Sequence, residues 1–143
     1  MAANLKAFLK ENAVVRDDVF VAVSKRFIGE DGAPIPWQVS PITATQDEEV
    51  RKRCTRRVPV PGKKNMYQPE IDYDVYLGAL AAKCTVFPNL NDAELQDSYG
   101  VKGAGECLKA MLEPGEYYDY LAKVQKINGF DVTMDDKVEE AKN

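Results

Sequence analysis

The chain has 143 residues, 45% hydrophobic and 29% charged, with a formal net charge of −4, a size and balance that suit one soluble globular domain with a real core. It holds no histidine, which excludes Ser-His-Asp and Cys-His catalysis, the common zinc sites and the usual neutral-pH base. No run resembles a signal peptide or is long enough to span a bilayer, so the chain is expected in the cytoplasm, with no membrane partner and with Cys54, Cys84 and Cys107 reduced.

In chain order, Asn4 can cap a short helix over Leu5–Glu11, with Leu5, Phe8 and Leu9 on one side. Val19, Val21, Val23 and Phe27 then alternate with Phe20, Ala22, Ser24 and Arg26, which predicts a strand. Gly29-Glu30-Asp31-Gly32 is turn chemistry, and Ile35, Trp37 and Val39 alternate again, which predicts a hairpin. Pro36 and Pro41 cannot donate to a ladder, so this second strand is expected at a sheet edge. Thr45 followed by Glu48 is a capping-box spacing, and a helix is predicted from about Gln46 to Arg57 on a thin stripe of Val50, Cys54 and Val58. Pro59, Pro61 and Pro69 exclude regular helix and predict a long extended loop, its Gly62–Asn65 section mobile.

Val75 to Cys84 is almost continuously apolar, broken only by Gly78 and Lys83, which predicts a core helix buried on most sides. Pro88 forces a turn. Asn91 with Glu94 caps a short helix over Asp92–Ser98, ended by Gly100. Ala104, Cys107, Leu108, Met111 and Leu112 recur at helical spacing, as do Tyr117, Tyr120, Leu121, Val124 and Ile127 after a first-turn Pro114. Gly129 ends that helix, and Thr133 can cap a last one through Met134, Val138 and Ala141. The sum is an α+β chain, predominantly α-helical, with an N-terminal β-hairpin packed on a bundle of short helices. One domain is expected over 1–143: a hairpin-plus-helix part at about 1–58, a loop at 59–70 and a helical part at 71–143.

Few motifs suggest chemistry. Gly100, Gly103 and Gly105 lack the order and the preceding strand of a phosphate loop and fit helix caps better. The cysteines fall on apolar helical positions and read as small buried hydrophobes. Cys54 stands apart, since Arg51, Arg53, Arg56 and Arg57 around it would lower its pKa were it exposed. Most tyrosines sit on the apolar stripes and read as core, with Tyr118 off the stripe and exposed. No catalytic, cofactor-binding or metal-ligating set is legible, and no enzyme is expected.

Charge is uneven. Residues 51–64 carry Arg51, Lys52, Arg53, Arg56, Arg57, Lys63 and Lys64 and no acid, leaving twelve basic against 23 acidic residues elsewhere, a balance of −11. With Tyr67 as a stacking ring, this cluster could bind nucleic acid or dock an acidic protein. The acidic remainder repels phosphate, so a solvated helix end and loop is the plainer reading.

Read whole, the chain resembles a known family. Lys25-Arg26-Phe27 before Gly29-Glu-Asp-Gly32, then Ser40-Pro-Ile-Thr-Ala-Thr-Gln-Asp-Glu-Glu49, looks like the opening of phage tail assembly chaperones. Leu80-Ala-Ala-Lys-Cys-Thr-Val-Phe-Pro-Asn-Leu-Asn-Asp-Ala-Glu-Leu-Gln-Asp-Ser-Tyr-Gly100, followed by Leu112-Glu-Pro-Gly-Glu-Tyr117 and Ile127-Asn-Gly-Phe130, resembles the XkdN-like branch. The resemblance implies a non-enzymatic helper, in the host cytoplasm, that coats the tape measure protein until the tail tube polymerises around it and is absent from the finished tail. It implies the tape measure as partner; the tail tube protein and a second copy of the chain stand as further candidates, the −11 balance outside the basic cluster predicts no nucleic-acid binding, and no cofactor is expected. It also implies a longer product made by ribosomal slippage, and Ala141-Lys142-Asn143 can be encoded by a slip-prone run.

The resemblance supplies no site residues. A chaperone for a long, partly apolar helix needs a groove or patch for an amphipathic helix. From the residues, that surface is expected on the loop bearing Val60, Met66 and Tyr67, flanked by Arg51, Arg53, Arg56 and Arg57. The alternative function is a small phage nucleic-acid-binding or regulatory module using the Arg51–Lys64 cluster.

Overall fold

The computed structural model describes residues 5–130. The helix expected after Thr133, and the residues around Lys142, lie outside them. Leu5–Phe8 form a 3-10 turn in place of the expected helix over Leu5–Glu11. Strands β1 (Val19–Val21) and β2 (Trp37–Val39) pair antiparallel, Val21 opposite Trp37 and Val19 opposite Val39. The chain continues through α1 (Ala44–Arg53), β3 (Thr55–Pro59), β4 (Tyr67–Ile71), α2 (Tyr73–Cys84), β5 (Thr85–Phe87), α3 (Ala93–Ser98), α4 (Ala104–Met111) and α5 (Pro114–Ile127).

The expectation of a predominantly helical chain with a single hairpin is overturned. Five strands form two sheets among the described residues, a three-stranded one in the order β1-β2-β5 and a two-stranded one of β3 and β4. β2 is therefore the central strand of its sheet, not an edge. Pro36 and Pro41 stand just outside its paired residues, and the ladder runs on through Ser40, whose N–H donates to the Cys84 carbonyl at 2.9 Å. β5 escaped notice because three residues carry too little pattern, although Thr-Val-Phe suits a pleated surface.

The stretch 59–70 is not an extended loop. Pro59 pairs with Tyr67 and Arg57 with Pro69 in a regular ribbon. A two-stranded ribbon has two edges, where a missing N–H costs no ladder bond, so prolines are tolerated. The chain reverses at Gly62 (φ 76°) and Asn65 (φ 58°). The backbone in this stretch leaves the helical region early, so α1 ends at Arg53, four residues short of expectation. Its cap also moves, to Thr43 and Gln46, which exchange bonds reciprocally.

The core lies where the sheet meets the helices. Trp37 and Val39 face Tyr120, Leu121 and Val124 of α5 and Leu80, Ala81 and Cys84 of α2, all buried. The Trp37 ring meets Tyr120 edge-on at 5.3 Å and Phe27 at 6.3 Å. The Tyr120 and Thr85 hydroxyls lie 2.6 Å apart, joining α5 to β5. The apolar stripes of α4 and α5 are buried as their spacing predicts, through Cys107, Leu108, Met111 and Leu112 and through Tyr120, Leu121 and Val124. Each large side chain buried there contributes about 1.5–3 kcal/mol.

One polar seam ties the two parts of the chain together. The buried Tyr76 hydroxyl donates to the Asp47 carboxylate. The other carboxylate oxygen receives Arg51 Nε at 2.9 Å, while that guanidinium lies 4.5 Å from the Tyr76 ring centre. Tyr76→Phe deletes the hydroxyl and leaves one Asp47 oxygen short of a donor, so a loss of about 1.5–3 kcal/mol is expected in urea unfolding. An unchanged midpoint would show that water replaces the bond.

Candidate functional site

The β3–β4 ribbon stands off the body. Only Ile71 and Val58 along its strands are half-buried, and Ile71 alone reaches the core. Its base is closed by the Asp72 N–H on the Cys54 carbonyl at 2.9 Å. By strand alternation Arg57, Pro59, Tyr67 and Pro69 share one face, and Arg56, Val58, Gln68 and Glu70 the other. The Arg57 guanidinium lies 5.7 Å from the Tyr67 ring centre. At the tip, the Val60 N–H bonds the Met66 carbonyl at 2.9 Å, and Met66 and Tyr67 are 50% and 54% exposed.

The residues singled out from sequence thus divide. Arg57, Val60, Met66 and Tyr67 come together on the outer ribbon. Arg56 sits lower, 3.9 Å from the Asp72 carboxylate. Arg53 ends α1 and points to a different feature, a groove of about 460 Å3 between α2 and α4. Arg51 turns inward to Asp47 and Tyr76 and is held charged by them. That groove leaves Val75 exposed and Ala79 and Ala82 half-buried, so α2 is less enclosed than its composition predicts. Its floor is close-fitting: a Cβ on Gly78 would stand 2.5 Å from the Tyr117 hydroxyl.

Sequence reasoning missed a second surface. Phe27, Ile35, Trp37, Phe87, Pro88, Leu95, Tyr99 and Met111 line an open apolar cleft of about 200 Å3 at the β5 edge. Ile35 and Phe87 stand 37% and 52% exposed at its mouth. Its residues come from five separate stretches of chain, so no local spacing could reveal it. The one available signal was Val86-Phe87-Pro88, an apolar run with no helical period.

The whole chain, read against known families, matches the phage XkdN-like tail assembly chaperones over residues 5–142. The chain belongs to that family. Among proteins similar to this chaperone, Bacillus subtilis strain 168 YqbN is 32% identical over 141 residues, covering 98% of this chain and 93% of YqbN. XkdN of the phage-like element PBSX in the same organism is 30% identical over 141 residues, covering 98% and 94%. A crystal structure of YqbN superposes with a TM-score of 0.77 at 27% identity, over 92% of this chain and all of that one. The family is one of assembly chaperones rather than enzymes, and its partners are proteins of tail assembly.

The titratable groups of this chaperone fit a structural role. All three cysteines are buried, and burial pushes each thiol above its usual range. Arg53 opposes the shift at Cys54 but does not reverse it, so the reactive-thiol reading of that residue fails. Among the described residues no group of His, Cys, Asp or Glu is arranged to hold a metal, and no helix is long and apolar enough to cross a membrane. Burial pushes the Tyr120 phenol up to about 12, and burial with the Asp47 bond does the same for Tyr76. In the unfolded chain these phenols ionise near 10. Between pH 10 and 12 the unfolded state therefore binds fewer protons, and stability falls as pH rises. The urea midpoint should drop steeply across that window, and less in Tyr120→Phe; an equal drop in that variant would place the cause elsewhere.

Proposed function

We propose that this chaperone holds the tape measure protein in the host cytoplasm during tail morphogenesis, releases it as the tube closes, and is absent from the mature virion. Family membership supports the class. The observation that carries the reading further is the β3–β4 ribbon, which holds Met66, Tyr67 and Arg57 out in water on an element with free edges. Aromatic, thioether and guanidinium groups presented together are characteristic of protein contact surfaces. We assign the contact to Arg57, Val60, Met66 and Tyr67 on the outer ribbon, with Arg56 lower on the same ribbon, Arg51 bracing its base and Arg53 left outside, at the groove between α2 and α4. The chaperone acts as one domain in this reading, supported by a core that takes Trp37 and Val50 from one side of the ribbon and Leu80 and Leu108 from the other.

Co-expression with the tape measure protein of the same phage, followed by pull-down, tests the assignment. Met66→Asp and Tyr67→Asp should each weaken capture at least tenfold without changing the melting curve, as loss of a central contact does. Undiminished capture by the double variant would remove the ribbon from the interface. The nucleic-acid alternative makes the opposite forecast. With Arg51 engaged inward and a −11 balance outside the cluster, no gel shift is expected near physiological salt. Micromolar binding that weakens steeply with salt would favour the alternative.

A further inference from the structure

One face of α2 is left open by the rest of the described residues. Tyr76, Leu80, Ala81 and Cys84 are buried where α1, α4, α5 and the sheet meet that helix. On the outward side Val75 is 55% exposed, and Ala79 and Ala82 are half-buried along the groove of about 460 Å3. Ala104 and Gly105 of α4 line its wall, and side chains that small leave room for a second helix to come close.

The pattern of charge and relief on this face decides its occupant. At 3.6 residues per turn, Val75, Ala79 and Ala82 lie outward, with Asp74 on one flank at the start of α2 and Lys83 on the opposite flank at its end. Val75 stands proud of the groove, whereas Ala82 lies low in it. Asp74 with Lys83 and Val75 with Ala82 are both centred on one point, the Gly78–Ala79 peptide. A two-fold axis through that point sets each residue opposite its complement on a second copy. Acid then meets base on both flanks, and a raised valine meets a recessed alanine at both ends. Asp74 and Lys83 are exposed, and neither has an ion-pair partner among the described residues. A partner of uniform charge would answer one of them and repel the other. Gly78 is closed off from within by the Tyr117 hydroxyl, so the closest approach falls on Ala79.

We propose that two copies pair through antiparallel α2 helices, Ala79 against Ala79 of the second copy. Val75 of each fills the hollow over Ala82 of the other, and Asp74 faces Lys83 on both flanks. The contact is one helix wide, so the dimer is a weak one. It sets the two ribbon roots at Asp72 about 20 Å apart, at opposite ends of the paired helices. It is independent of the tape measure assignment, which uses the ribbon.

Sedimentation of the full chain over a wide concentration range tests it. The native chain should dimerise. Asp74→Lys or Lys83→Asp alone sets like charges opposite one another at two equivalent places, and should raise the dimer dissociation constant roughly tenfold or more. Asp74→Lys combined with Lys83→Asp remakes both pairs and should return the constant to within about threefold of the native value. Both positions are exposed, so melting curves should stay close to the native chain's. Ala79→Cys should give a disulfide-linked homodimer on oxidation, the native cysteines being buried. Glu30→Cys, exposed at the hairpin turn far from the axis, should not. A native chain that stays monomeric throughout would overturn the proposal, as would a dimer indifferent to both single variants or one that the combined variant fails to restore. No link through Ala79→Cys, or equal linking through Glu30→Cys, would overturn it too. Loss of tape measure capture in Ala79→Arg, with self-association unchanged, would give the groove to the tape measure and likewise overturn it.

Discussion

Leu80→Asp abolishes folding, whereas Lys63→Asp leaves the melting curve within a degree or two of the native chain's. Leu80 is 1% exposed in the middle of α2, where α4, α5 and the sheet converge. The substitution removes a buried side chain worth about 2–5 kcal/mol. It also places a carboxylate in the buried cluster that holds Trp37, Leu108 and Val124, and such a group is costly to bury whether ionised or protonated. Together these terms match or exceed the whole stability of an ordinary domain, about 5–15 kcal/mol. Lys63 projects from the ribbon tip next to Gly62 and touches no core residue, so its charge reversal is worth about 0.5 kcal/mol or less. Circular dichroism melts of the two variants decide the matter. Comparable curves would mean the core is not where α2 places it.

Trp37→Ala is the second large effect. This single tryptophan is 1% exposed and joins three layers: Phe27 beyond the hairpin turn, Tyr120 on α5 and the cleft at the β5 edge. Truncation leaves a void on the inner face of the sheet, and a loss of about 3–5 kcal/mol is expected. Trp37→Phe keeps most of the ring contact and should recover more than half of it. Chemical denaturation followed by circular dichroism is the measurement, because the substitution also removes the fluorophore. Equal losses in the two variants would show that the indole nitrogen, and not packing, is what the site needs.

The helices were legible in the sequence where a stripe met a cap. Cys107, Leu108, Met111 and Leu112 lie where their spacing puts them, and so do Tyr120, Leu121 and Val124, because a helix states its buried face within eight residues. Asp92 caps α3 one residue after the expected Asn91, and α2 is capped by Asp72, for which no cap was predicted, their carboxylates receiving the Leu95 and Val75 N–H groups. The strands were legible only in part. β1 and β2 announce themselves by alternation and a Gly-Glu-Asp-Gly turn, but β5 is three residues long and pairs with a strand some 45 positions earlier, so nothing local marks it. The helix predicted over Gln46–Arg57 takes in Arg56 and Arg57, whose charges suit a helix C-terminus; the neighbouring prolines outweigh that preference and draw the backbone into the ribbon. Of the surface expected at Val60, Met66 and Tyr67, the last two are exposed and Val60 is half-buried, while Arg51 turns away from it to Asp47 and Tyr76. The cleft around Phe87 belongs to tertiary structure alone.

The prolines of the ribbon have a consequence for life at high concentration. A strand pair with unpaired edges is a template on which further copies of the chain could stack edge to edge. β3 carries Pro59 and β4 carries Pro69, so each strand lacks one of the donors that a growing cross-strand ladder would need. Lys63 and Lys64 add like charges at the tip that any stacked neighbour would have to meet. The ribbon therefore presents its side chains to water while its backbone resists seeding a fibre. Replacing both prolines with threonine should leave the melting curve nearly unchanged and lower the concentration at which the chain precipitates.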